Sequence, residues 1–114
     1  MRQEVVRVSD VSEQVVVTRN EDESRWEARI GGELAGFAAY QLTDELVVFT
    51  HTEVEPAFEG KGVAGALARH ALDEVADEGT RKVMPLCPFI KAWIQRHPDY
   101  VPLVYGVSTG TDDR

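Results

Sequence analysis

Apolar and polar residues alternate from Gln14 to Glu53, and from Val63 onward the apolar positions recur every three to four residues, so the chain changes period once. Val15 and Val17, then Trp26, Ala28 and Ile30, stand at alternate positions. These two runs predict two strands, with Arg19 to Ser24 as a polar turn between them. Gly31-Gly32 predicts a tight hairpin into a third strand from Glu33 to Leu42. Thr43-Asp44 then turns into a fourth strand, from Glu45 to about Glu53. Connections this short join antiparallel neighbours. Simple alternation would put Val47, Phe49, His51 and Glu53 on one face of the fourth strand.

Val63, Ala64, Leu67, Ala68, Ala71, Leu72, Val75 and Ala76 form the single apolar stripe of a helix, and Gly79 reads as its C-cap. Arg69, His70, Asp73, Glu74, Asp77 and Glu78 fall on the opposite side and read as a solvated face. A short strand from Arg81 to Leu86 follows. A second helix, Pro88 to His97, lines up Phe89, Ile90, Trp93, Ile94 and His97 before Pro98 ends it. The first helix is long enough for a right-handed crossover, which sets the fourth and fifth strands parallel. The expected fold class is α+β: a mixed sheet of four antiparallel strands, a helix, a parallel fifth strand and a C-terminal helix. Residues 1–13 show no clear period and read as an arm, residues 14–105 as one domain, and residues 106–114 as a small, polar tail.

Composition narrows the class. With 43% apolar and 28% charged residues in 114, the chain can fold as one domain without metals or disulfides. Val83 to Ile90, eight residues without a charged or strongly polar side chain, contains two prolines and is far from the ~20 apolar residues of a membrane span. Met1-Arg2-Gln3-Glu4 does not open a secretory signal, so a cytoplasmic location is expected. A single cysteine, Cys87, excludes an internal disulfide framework and any multi-cysteine zinc site, and no metal is expected. The net charge of −8 argues against nucleic acid and anionic membranes as partners and favours cationic ones such as amines.

The candidate chemistry begins at Glu59-Gly60-Lys61-Gly62-Val63-Ala64-Gly65, where the fourth strand hands over to the helix. Glycines let backbone N–H groups approach a ligand, and the helix adds its positive end, so this is an anion cradle, most often for phosphate. A Walker A loop requires Ser or Thr after its Gly-Lys, and none is here. The letters match the dinucleotide fingerprint, but that fingerprint opens a first βαβ unit, and here four antiparallel strands come first. The remaining claimant is the pyrophosphate loop of coenzyme A acetyltransferases.

From His51 to Tyr100, with HTEVEPAFEGKGVAG followed by PLCPF and RHPDY, the sequence resembles the minimal single-domain members of the GNAT superfamily of N-acetyltransferases. The resemblance implies a sheet whose fourth and fifth strands splay to admit the pantetheine arm of acetyl-CoA, with the pyrophosphate on the loop. In that pattern the glycine falls on Gly62 and the small residue on Ala64, while the usual Arg or Gln is replaced by Glu59, an unfavourable neighbour for an anion that Lys61 can offset. Main-chain groups of Glu53 and Val54 are the candidates for holding pantetheine as a strand would.

Cys87 precedes Pro88 and so takes the N-cap, where the helix dipole favours thiolate; its other reading is a small apolar core residue. The resemblance adds a cysteine near the acetyl group, able to accept it. His51 or Glu53 can deprotonate an incoming ammonium, or can be a half-buried imidazole and a solvated strand-end carboxylate. The superfamily often uses a tyrosine to protonate departing coenzyme A, which makes Tyr100 and Tyr105 candidates, with packing as their other role. Trp93 and Phe89 read as core, and His70 as exposed. The leading expectation is acetyl transfer from acetyl-CoA to a primary amine by a monomer or weak dimer. The alternative is a non-catalytic acyl-CoA binding module; a purely structural domain leaves the glycine loop unexplained.

Overall fold

A computed structural model describes residues 14–106; the expected arm and the tail beyond Gly106 lie outside the described residues. Five strands form one sheet in the order β1 (Val15–Asn20), β2 (Arg25–Ile30), β3 (Glu33–Leu42), β4 (Leu46–Val54), β5 (Lys82–Pro85). The first four are antiparallel in sequence order, and β5 runs parallel to β4, as expected. Helix α1 (Val63–Glu78) makes the crossover, and α2 (Pro88–Arg96) follows β5. Gly79, at φ 70°, ends α1 by donating its N–H to the Val75 carbonyl.

The core lies between one face of the sheet and the helices. Trp26, Phe49, Leu67, Leu72 and Ile90 are fully buried there, each contributing about 1.5–3 kcal/mol from burial. Small residues on α1, Ala68 and Ala71, are also fully buried, which keeps the helix close to the sheet.

The expectation of a turn from Arg19 and a purely solvated α1 face is corrected. Arg19 belongs to β1, and its guanidinium reaches across to Glu74 at 3.1 Å and Glu78 at 3.0 Å while lying over the rings of Trp26 and Tyr40. Glu74 also accepts the Trp26 indole N–H at 3.0 Å. Burial works against the charges on both, but hydrogen bonding and Coulomb attraction prevail: Arg19 is raised and Glu74 is held below the ordinary carboxylate range.

Two 3₁₀ segments, Pro56–Phe58 and Pro98–Leu103, flank the two helices and were not expected. After the second, Tyr105 donates its N–H to the Val83 carbonyl at 2.9 Å, which ties this segment to β5.

Candidate active site

Strand β4 has two unlike halves. From Leu46 to Phe49 it pairs with β3 on one side and β5 on the other. The last β5 pair is Phe49 with Pro85, yet β4 continues to Val54 with β3 alone. The two strands separate because Pro85 has no N–H to extend the ladder and Pro88 starts a helix three residues later. At the fork, the Phe49 carbonyl accepts the N–H groups of Leu86 at 3.0 Å and Cys87 at 2.9 Å. Beyond it, among the described residues no strand lies beside the edge of residues 50–54 that faces away from β3, and Leu86, 64% exposed, stands at the opening.

A bulge re-aims this open half. Ala39 pairs with His51 and Tyr40 with Phe49, so Thr50 is an extra residue on β4. The expected common face of Val47, Phe49, His51 and Glu53 is therefore corrected. Val47 and Phe49 face the helices, whereas His51 and Glu53 point to the opposite, outer face, each 61% exposed and 3.9 Å apart. Phe37 meets the His51 ring edge-on at 6.1 Å. Thr52 takes the inner side, and its hydroxyl lies 3.3 Å from the Cys87 sulfur. Cys87 is the N-cap of α2 as expected, but it is buried, 3% exposed. The thiol and the two candidate bases thus flank the open strand from opposite sides.

The glycine loop follows directly. Gly60 at φ 84° and Gly62 at φ 78° adopt left-handed backbone, which glycine takes without a Cβ penalty. Gly62 is the N-cap of α1 and offers no side-chain acceptor, and no acidic residue lies in the first turn. Its carbonyl receives the Ala66 N–H at 3.0 Å, so the N–H groups of Val63, Ala64 and Gly65 precede the first intrahelical bond and point outward. A side chain at Gly60 or Gly62 would meet open space, so the cradle is accessible from solvent. Glu59 and Lys61 are exposed beside it, whereas the Val63 side chain is core and only its main chain faces the cradle.

The tyrosines are spoken for elsewhere. The Tyr100 hydroxyl donates to Asp73 at 2.6 Å and receives Arg69 at 3.3 Å; the bond to Asp73, with burial, raises its pKa. Tyr105 lies at the Val83 end of β5, before the fork. Trp93 is buried with His97 stacked on it at 3.7 Å, so the RHPDY segment packs α2 against α1. Sequence reasoning missed Thr52, whose inward aim follows only from the bulge.

A family model described as GCN5-related N-acetyl-transferase matches residues 25–103. The chain belongs to this family of acetyltransferases. Among solved structures it is similar to a ribosomal-protein-alanine N-acetyltransferase from Brucella melitensis, with 20% identity and a TM-score of 0.52 over 79% of this chain and 67% of that one. It is also similar to a GCN5-like N-acetyltransferase from Staphylococcus aureus, with 19% identity and a TM-score of 0.50 over 87% of this chain and 96% of that one. A third, the ribosomal-protein-S18-alanine N-acetyltransferase of Escherichia coli, matches at 21% identity and a TM-score of 0.49 over 72% of this chain; the chain spans about half its length, 48%. The likenesses to the Brucella melitensis and Staphylococcus aureus structures show the fold. Among curated proteins no match is found. Among the described residues no cluster of metal-ligating side chains occurs, and no helix is long and apolar enough to cross a membrane.

Proposed function

We propose that the chain transfers an acetyl group from acetyl-CoA to a primary amine, and that the acetyl group passes through Cys87. The observation that carries this reading is the free edge of β4 running from the fork at Phe49 straight into the glycine cradle. Family membership supplies the donor. Backbone groups of Glu53 and Val54 hold pantetheine as a neighbouring strand would, and the loop N–H groups from Gly60 to Gly65 take the pyrophosphate.

Cys87 supplies the nucleophile at the base of the fork. Its sulfur attacks the acetyl carbon, the bond from that carbon to the coenzyme A sulfur breaks, and coenzyme A leaves as a thiol after taking up a proton. The amine then attacks the acetyl carbon on Cys87, the carbon–sulfur bond breaks to restore the thiol, and the ammonium proton passes to Glu53 or His51. Thr52 orients the sulfur through its 3.3 Å contact. The acidic chain, at −8, draws a cationic acceptor: a small amine, a polyamine or a protein lysine.

A second reading, direct attack on bound acetyl-CoA, is favoured by one observation: Cys87 is buried whereas His51 and Glu53 are open. Intact mass after incubation with acetyl-CoA and no amine separates the two. The relay predicts an acetyl adduct that hydroxylamine removes, that Cys87→Ala lacks and that added amine discharges. Near-normal turnover by Cys87→Ala overturns the relay. If acetyl-CoA releases no free thiol with polyamines, lysine peptides or histone tails, the coenzyme A binding module is what remains.

A further inference from the structure

Gly36 is a buried residue of β3, opposite Val54 of β4 and Ala28 of β2. Its backbone is ordinary strand, outside the left-handed region, so conformational freedom does not account for glycine here. Space does. A Cβ on Gly36 would lie 2.6 Å from the Glu53 carbonyl oxygen, 3.1 Å from Val63 Cγ1 and 3.3 Å from Val54 Cα.

Side chains normally stand perpendicular to a sheet, with directly opposed Cβ atoms ~4.5–5.5 Å apart. A main-chain oxygen at 2.6 Å means that the end of β4 curls toward the face on which a Gly36 side chain would stand. The curl is pinned next door, where Glu55 donates its N–H to the Ala35 carbonyl at 2.8 Å, and behind it, where Glu53 is paired with Phe37. The strand end therefore has no local way to yield to a methyl group. The three atoms that crowd Gly36 belong to residues of the two parts of the cofactor site: the main chain of Glu53 and Val54 at the end of β4, and Val63 at the start of α1.

We propose that Gly36 is a positioning residue, whose missing Cβ lets the free edge of β4 and the N-terminus of α1 close to the one separation at which a single coenzyme A engages both. This rests on the coenzyme A reading of the site given above. A methyl group at position 36 moves the edge and the cradle apart while leaving each intact. Ligands that use one part lose little, and a ligand that must bridge both loses much.

The test compares coenzyme A with pantetheine, which lacks the nucleotide and its pyrophosphate, by calorimetry on the full chain, wild type against Gly36→Ala. The wild type is expected to bind coenzyme A far more tightly than pantetheine. In Gly36→Ala that ratio is expected to fall at least tenfold, chiefly through coenzyme A. Loss of folded protein alone would scale both ligands equally, so an unchanged ratio overturns the proposal. If Gly36→Ala does not fold, Gly36→Ala/Val63→Ala, which removes the 3.1 Å contact, is measured the same way. Failure of both to fold makes Gly36 a folding requirement and overturns its role in binding. A wild type that binds neither ligand instead sinks the coenzyme A reading itself.

Discussion

The two halves of β4 share a strand but not a task. Leu46 to Phe49 is flanked by β3 and β5 and buries Val47 and Phe49, while residues 50–54 keep one edge unpaired among the described residues and leave His51 and Glu53 open. The switch between them is one residue. Without the bulge at Thr50, alternation would carry His51 and Glu53 into the helix-covered face and turn Thr52 away from Cys87. Closed pairing stabilises the fold, and open pairing leaves backbone groups for a ligand. The bulge lets one strand do both.

Deleting Thr50 tests this division most directly. With the extra residue gone, Phe49 and His51 follow one another opposite Tyr40 and Ala39, so His51 and Glu53 keep the outer face and Thr52 the inner one, while the bend and added twist of the bulge are lost. The buried faces are unchanged, so a cooperative urea transition, followed by circular dichroism, should remain. Coenzyme A affinity should fall by tenfold or more, ~1.4 kcal/mol or above, because the open edge is no longer aimed by the bend. Thr50→Ala keeps the residue count and should change stability by less than about 0.5 kcal/mol, because Thr50 is exposed. Unchanged coenzyme A affinity in the deletion variant would show that the bulge does not aim the open edge.

The next contrast separates stability from binding. Gly62 has open space around its Cβ direction and a left-handed backbone, which Asp tolerates better than most residues, so Gly62→Asp should cost the fold no more than about 1 kcal/mol. Its carboxylate would stand at the anion end of α1. Coenzyme A affinity should fall by well over the tenfold that ~1.4 kcal/mol represents. Glu59→Arg reverses the sign of the exposed neighbour and should strengthen binding roughly two- to fivefold. Calorimetry reads both, and unchanged affinity in the pair would remove the pyrophosphate from this loop.

What the sequence disclosed follows the same boundary between local and long-range causes. Strand order, both helices, the Gly79 cap and the Cys87 N-cap rest on spacing and on single residues of known habit, and all are found where the pattern puts them. The bulge left no mark. Thr50, His51 and Thr52 are all polar, so an extra residue among them does not disturb a visible alternation. Arg19 with Glu74 and Glu78 pairs residues 55 and 59 positions apart, and the solvated reading of that helix face had no access to the partner. The candidate site was half legible: the glycine cradle and Cys87 are local motifs, whereas the crowding at Gly36 and the aim of Thr52 exist only once β4 has bent.

The outer face of the open half extends across the sheet, and there a second carboxylate behaves unlike Glu53. Glu27 of β2 is in register with Phe37, which is in register with Glu53, so one row links them. Glu53 is 61% exposed, but Glu27 is 7% exposed and held by Arg25 at 2.8 Å, Arg29 at 3.0 Å and Asn20 at 3.0 Å. Burial opposes the Glu27 charge, yet these hydrogen bonds and the two arginine charges outweigh it and hold its carboxyl below the ordinary 4.5. Glu74 is lowered in the same way by Trp26 and Arg19. A carboxyl whose folded pKa lies below its unfolded value adds stability that is present above 4.5 and is lost as pH falls through the folded value. Urea midpoints should therefore decline as acid is added below that point. Glu27→Gln should be destabilised at neutral pH by about 1–2 kcal/mol, the scale of hydrogen bonds to a charged group, and its midpoint should decline less steeply in acid than that of the wild type. Glu53→Gln, on the same row but open to water, should keep the wild-type stability at neutral pH within about 0.5 kcal/mol while slowing turnover. If Glu27→Gln tracks the wild type through the acid range, the arginine cluster is not what anchors this face, and the row joins two equivalent surface carboxylates.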